Sequence, residues 1–217
     1  MRRRLSRLDR LGAVLMQVLD STIANVALPH MQAALSASQD SISWVLTSYI
    51  IASAIGTPLT GWLEARLGRR NLFGVSVGGF TIASALCGAS HSLAMIVASR
   101  GLQGLFGAFL NPLSQSVMLD IYPAEKRAQA MSIWGMGVMI GPILGPIVGG
   151  WLTDSFNWRW IFYINLPVGI VSGIVLWFLL GEGQSPRRHF DRLGFVLLAL
   201  ALASFQLMLD RGTQRDW

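Results

Sequence analysis

Apolar residues in this chain come in long runs rather than in alternation, over residues 11–31, 42–63, 72–89, 93–119, 128–152, 161–180 and 193–209. About 20 residues of helix, at roughly 1.5 Å each, cross the 30 Å hydrocarbon core of a bilayer, so every run is near spanning length. The last, 193–209, is the shortest. The connections at 32–41, 64–71, 90–92, 120–127 and 153–160 are short, which forces neighbouring helices to pack antiparallel. Only residues 181–192, with Gly183, Ser185, Pro186 and three arginines, read as a linker. The predicted fold class is an all-α membrane protein. A basic N-terminus (1–10) leads into a six-helix bundle (11–180), then a cytoplasmic linker (181–192), then a seventh transmembrane helix and outer loop (193–217). The pattern stops at Trp217 with no second bundle behind it, so the expectation is a truncated chain.

Composition agrees with lipid as the solvent. Charged residues make up 13% and hydrophobic residues 53%, against about 25% charged in soluble domains. A single cysteine, Cys87, excludes a disulfide framework within one chain. The net charge of +6 would suit nucleic acid, but its distribution argues otherwise. With the N-terminus inside, thirteen of the seventeen Lys and Arg fall in cytoplasmic segments, and only Arg159, Arg211 and Arg215 fall outside. The bases are therefore topological signals, with anionic lipid contact secondary, and no nucleic-acid partner is expected. A basic start before an apolar run also resembles a secretory signal, and Ala34 to Ala37 a cleavage site. Asp20, Asn25 and Pro29 inside the run fit a retained helix better. Trp44, Trp62, Trp151, Trp158, Trp160 and Trp177 lie at or near span ends, as an aromatic belt does.

Against this background two charges stand out. Asp20 falls near mid-membrane in the first run, where a charge costs about 2.5–3.5 kcal/mol on insertion scales, and Ser21, Thr22 and Asn25 share its neighbourhood. Arg100 lies about 10 Å into the fourth run, followed by Gln103, Gly104, Gly107 and Asn111 as a polar, small-residue face. The alternative for Asp20 is a hydrogen bond to a neighbouring helix, and for Arg100 snorkelling to the outer interface. An acid and a base lower each other's cost if they pair. Burial and a nearby cation act in opposite senses on a carboxyl's hold on its proton, so such a pair is tunable. The fifth run carries Gly137, Gly141, Gly145 and Gly149 at every fourth position, with Pro142, Pro146 and Gly150 beside them. That spacing predicts one close-packing helix face, or a hinge where the two prolines add a bend.

These motifs resemble the major facilitator superfamily, and within it the 14-helix drug:proton antiporters of the EmrB/QacA type. Leu19, Asp20, Ser21, Thr22, Asn25, Ala27, Leu28 and Pro29 resemble that family's first-helix motif, whose acid is implicated in proton or cation coupling. Arg100, Gln103 and Gly104 are similar to the fourth-helix motif, whose arginine is linked to proton transfer. Gly137, Gly141, Pro142, Gly145, Gly149 and Gly150 resemble the antiporter motif of helix five, which favours export. Gly61, Glu64, Arg66, Gly68, Arg69 and Arg70 resemble the conformational-switch loop. There the family's usual acid falls at Ala65 and this chain has Glu64, a shift that turns the carboxylate by about 100° on a helix and away from the usual charge contact. The run 157–167 and the ending 209–217 also resemble the 14-helix branch.

The resemblance implies proton-driven export of small hydrophobic or cationic drugs across the cytoplasmic (inner) membrane by alternating access, with Asp20 and Arg100 in proton coupling. It also implies a C-terminal half that this sequence lacks, a periplasmic membrane-fusion adaptor as partner, and no cofactor or metal. Trp44, Tyr49, Phe109, Trp134 and Met136 are candidate substrate contacts by side-chain type and span position. The competing reading is a non-transporting truncated subunit or partner-binding fragment. An embedded enzyme finds no support, since His30, His91 and His189 lie far apart and no nucleophile motif is present.

Overall fold

The computed structural model describes residues 2–179 and 190–214, and among these it contains helices and no strand. Helix α1 (Arg2–Ala34) is followed by α2 (Gln39–Ile42), α3 (Trp44–Gly56) and α4 (Thr60–Leu67). The last three run end to end as one apolar stretch, Gln39–Leu67. Helix α5 (Arg69–Gly88) precedes α6 (Leu93–Gly107) and α7 (Leu110–Ile121), which again form a single stretch, Leu93–Leu119. Helices α8 (Arg127–Ser155), α9 (Trp160–Tyr163), α10 (Asn165–Leu179) and α11 (Arg192–Gln214) complete the chain. Five of these stretches are long and apolar enough to cross a membrane, and Trp160–Val175 is a shorter apolar helix. The expected linker falls at 181–192, and its residues 181–189 lie outside the described residues, as does the end of the chain at 215–217.

Several boundaries differ from the sequence expectation, each for a local reason. The connection expected at 64–71 is almost wholly helical, because α4 continues to Leu67 and α5 starts at Arg69. A single residue breaks the chain direction: Gly68 takes φ 79°, where a side chain would be strained, and its N–H donates to Glu64 O at 3.0 Å. The sixth run is two helices that part at Ile164, with Pro167 in the first turn of α10, where no N–H is needed. The outer loop expected after 209 is helical to Gln214. The fifth run is one continuous helix, α8, through Pro142 and Pro146. Helices α1 and α2 leave only residues 35–38 between them, and Ser38 Oγ caps α2 by accepting from the Ser41 N–H at 3.2 Å.

Packing places α1 against α8 and α10, α6 against α3 and α5, and α11 on the outside of α3. Two apolar clusters form the interior. One gathers Met16, Tyr49, Phe73, Phe80, Leu110 and Leu113, and the other Ile23, Met31, Val45, Cys87, Ile96 and Phe162. Asp20 falls on α1 between Met16 and Ile23, at the seam of the two. The α1 and α8 backbones approach closely at the glycines. A Cβ on Gly141 would overlap Val18, one on Gly145 would overlap Thr22, and one on Gly149 would lie 3.0 Å from Ile23 Cγ2. Gly150, on the other side, faces open space.

Candidate functional site

Four helices converge on Asp20, and all its polar neighbours are buried. Arg100 Nη1, from α6, donates to Asp20 Oδ2 at 2.5 Å and to Gln103 Oε1 at 2.8 Å. Gln103 Nε2, one turn further along α6, donates to Asp20 Oδ1 at 3.0 Å. The same oxygen accepts from Asn165 Nδ2 at 2.6 Å, across from α10. Asn165 Nδ2 also donates to Ser84 Oγ at 3.0 Å on α5, and Ser84 Oγ donates to Phe162 O at 2.9 Å. The Arg100 guanidinium lies between two rings, 5.1 Å from the Tyr49 centroid and 5.0 Å from that of Phe162. Arg100 is thus fully buried and does not snorkel to the interface.

Every contact to the Asp20 carboxyl comes from a donor. An ionised carboxylate only accepts, so this arrangement satisfies the charged form, with one full charge neutralised by Arg100. Adding a proton would turn one oxygen into a donor facing donors, and the network would have to rearrange. The site therefore joins α1, α6 and α10 through one carboxylate.

The sequence singled out Asp20, Arg100 and Gln103, and the structure brings all three together. It does not bring the rest of the expected polar face with them. Thr22 turns toward α8, where its Oγ1 donates to Gly141 O at 3.3 Å. Asn25 is exposed and bonds Ser21 O within its own helix. Asn111 sits on α7 with a buried Oδ1 that has no hydrogen-bond partner. Asn165 was missed, although an amide inside an apolar run is flagged by the same argument that found Asp20. Of the candidate substrate contacts, Tyr49 and Phe109 are packed in the core, Trp134 is half-buried, and Trp44 and Met136 are exposed at 36% and 63%. Gly137 is half-buried on α8, and Gly141, Gly145 and Gly149 are buried.

In the switch segment, Gly61 is exposed on α4, and Arg69 Nε meets Glu64 Oε1 at 2.6 Å. Arg69 Nη2 reaches on to Ser116 Oγ at 3.0 Å, which ties α5 to α7. Glu64 is thereby paired despite its displaced position, because the turn at Gly68 brings Arg69 back beside α4. Arg66 lies over the Trp62 ring at 5.3 Å, and Arg70 follows Arg69 in the first turn of α5.

A profile of the Major Facilitator Superfamily matches residues 11–210. The chain belongs to that superfamily. Among curated relatives it is similar to the multidrug export protein EmrB of Haemophilus influenzae, with 46% identity over 94% of this chain and 41% of the relative. The fatty acid resistance protein FarB of Neisseria gonorrhoeae is 44% identical over the same shares. This superfamily member therefore spans about two-fifths of the length of the curated relatives it matches. Its fold is also that of the inward-open xylose transporter XylE from E. coli, with a TM-score of 0.68 at 18% identity over 95% of this chain and 56% of that one. Family and apolar helices together make this a multi-pass membrane protein of the Major Facilitator Superfamily.

Proposed function

We propose that this chain forms the N-terminal bundle of a proton-coupled exporter of small hydrophobic or cationic drugs, working by alternating access against a second bundle. The observation that carries this reading is the buried Asp20 carboxylate held by Arg100, Gln103 and Asn165 where α1, α6 and α10 meet. Protonation of Asp20 breaks the match with its three donors and frees α1 to shift. The glycine face of α8 is the surface on which α1 moves, since side chains there are absent at the three closest approaches. The export direction and drug class are supported by the EmrB and FarB relatives. The thirteen-to-three distribution of bases supports a cytoplasmic N-terminus in the inner membrane.

The test is drug-driven proton release from proteoliposomes of the transporter that carries this sequence, compared with its Asp20→Asn variant. Asparagine keeps the shape and removes the exchangeable charge, so drug binding is expected to persist while proton release is lost. Undiminished exchange in the variant would end the coupling role of Asp20.

A further inference from the structure

The end of the bundle that carries the switch segment holds a cavity that joins aromatic and charged side chains, separate from the Asp20 network. Its volume is about 760 Å³, and it is lined by Trp62 and Arg66 of α4 together with Phe190, Asp191 and Arg192 at the start of α11. Trp62 and Phe190 form one wall, with ring centroids 4.6 Å apart, and Phe195 backs Phe190 at 5.5 Å. The Arg66 guanidinium is stacked over Trp62, and both Arg66 and Arg192 are exposed with no acidic partner in ion-pair distance among the described residues. Among the described residues the one acid in the lining is already engaged. Asp191 Oδ1 accepts the Gly194 N–H at 2.9 Å, and a Cβ on Gly194 would overlap Asp191 Oδ2, so this carboxylate is turned to the start of α11.

We infer that this cavity is a binding site for the phosphate headgroup of an anionic membrane lipid. Two guanidinium groups in one lining, Arg66 from α4 and Arg192 from the start of α11, with no acidic partner among the described residues, match the oxygens of a phosphodiester, and guanidinium binds phosphate through paired N–H donors. Tryptophan beside arginine is the chemistry of the membrane interface. The sequence neighbours of the two arginines, Leu67 and Leu193, are exposed at 42% and 73%, and these apolar surfaces are where acyl chains attached to the headgroup run. A lipid bound here bridges α4, which leads into the Gly68 turn, to α11, and so holds the seventh helix against the switch segment. The assignment to the cytoplasmic leaflet rests on the orientation proposed above; the headgroup site does not.

The experiment follows thermal unfolding of the chain in a neutral detergent, titrated with short-chain phosphatidylglycerol, short-chain phosphatidylcholine or inorganic phosphate. Phosphatidylglycerol is expected to raise the melting temperature, and Arg66→Gln or Arg192→Gln to weaken its apparent affinity about five-fold each. Both arginines are exposed, so their loss leaves the fold intact. The paired control Lys126→Gln with Arg127→Gln removes two charges elsewhere, more than either single variant, and is expected to leave the titration unchanged. Equal shifts with phosphatidylcholine would overturn the anionic preference, and equal shifts with phosphate would replace the lipid by a soluble anion. Equal loss in the control pair would reduce the effect to general surface charge and overturn the site.

Discussion

Arg100→Ala strands the Asp20 carboxylate, buried, with two amide donors and no cation. Losing one partner of a buried ion pair costs about 3–5 kcal/mol, whereas replacing both by neutral groups of similar shape is often close to neutral. Unfolding of the Arg100→Ala protein in detergent is therefore expected at markedly lower denaturant. The double variant Asp20→Asn with Arg100→Gln is expected to recover most of that loss, and equal destabilisation of both would show that the ring contacts to Tyr49 and Phe162, not the charge pair, carry Arg100's contribution. Asn165→Ala belongs to the same network and removes donors to Asp20 and Ser84. It is expected to cost about 1–3 kcal/mol, the penalty of leaving buried polar groups unpaired. At this scale the sequence was readable wherever a residue was expensive in lipid. Asp20 and Arg100 announced themselves by charge, whereas Asn165, neutral and embedded in an aromatic run, carried a weaker signal. Which of Thr22, Asn25 and Gln103 would face Asp20 depended on helix rotation, which residue types do not encode.

Helix contacts follow from where side chains are missing. At Gly145 an added methyl group overlaps Thr22 Oγ1 and meets the α1 backbone at Ile23 N, 3.5 Å away, so one of the two helices must move. Gly145→Ala is expected to lower the melting temperature by several degrees, and Gly145→Val by more. Gly150→Ala, which faces open space on the same helix, is expected to be neutral or to stabilise by up to about 1 kcal/mol through helix propensity. A destabilised Gly150→Ala with an unaffected Gly145→Ala would contradict the α1 and α8 interface. The every-fourth glycine spacing made this face legible in advance. The element ends were less so. Arg159, read as an outer-loop charge, donates to Gly88 O at 2.8 Å and Ser90 O at 2.5 Å and so closes the C-terminal end of α5, a tertiary contact 69 residues away or more that no local pattern reports. The glycines of 61–70 pointed to a tight turn, but its shortness was hidden, since an eight-residue polar connection and two helices joined by one glycine share a composition.

Taken as a whole, the molecule presents two kinds of apolar surface. The spans on Arg69–Gly88 and Leu93–Leu119 are half buried, while Ala124–Ser155 is 11% buried and Arg192–Asp210 not at all. In water this would be unstable; in lipid an exposed Met139, Ile143 or Ile147 carries no penalty, and only polar atoms need partners. Asp210 shows the rule at the edge of the bundle, since the least buried span still docks through a hydrogen bond, Thr47 Oγ1 donating to Asp210 Oδ1 at 3.0 Å. The apolar runs were legible from hydropathy because spanning length is fixed by the bilayer, although among the described residues five stretches and one shorter helix, rather than seven spans, meet the length and composition of a crossing; the arrangement around α1 was not legible, because lipid-facing and helix-facing residues are equally apolar. The orientation is the remaining whole-molecule property, and the proposal for it rests on charge alone. In a Cys87→Ser background, a cysteine at Lys126, in the basic connection before α8, is expected to react with an impermeant maleimide only in inside-out vesicles. One at Asn157, between α8 and α9, is expected to react only from the outside of intact cells. The opposite labelling pattern would invert the topology, and with it the leaflet proposed for Arg66 and Arg192 and the side proposed for proton exchange at Asp20.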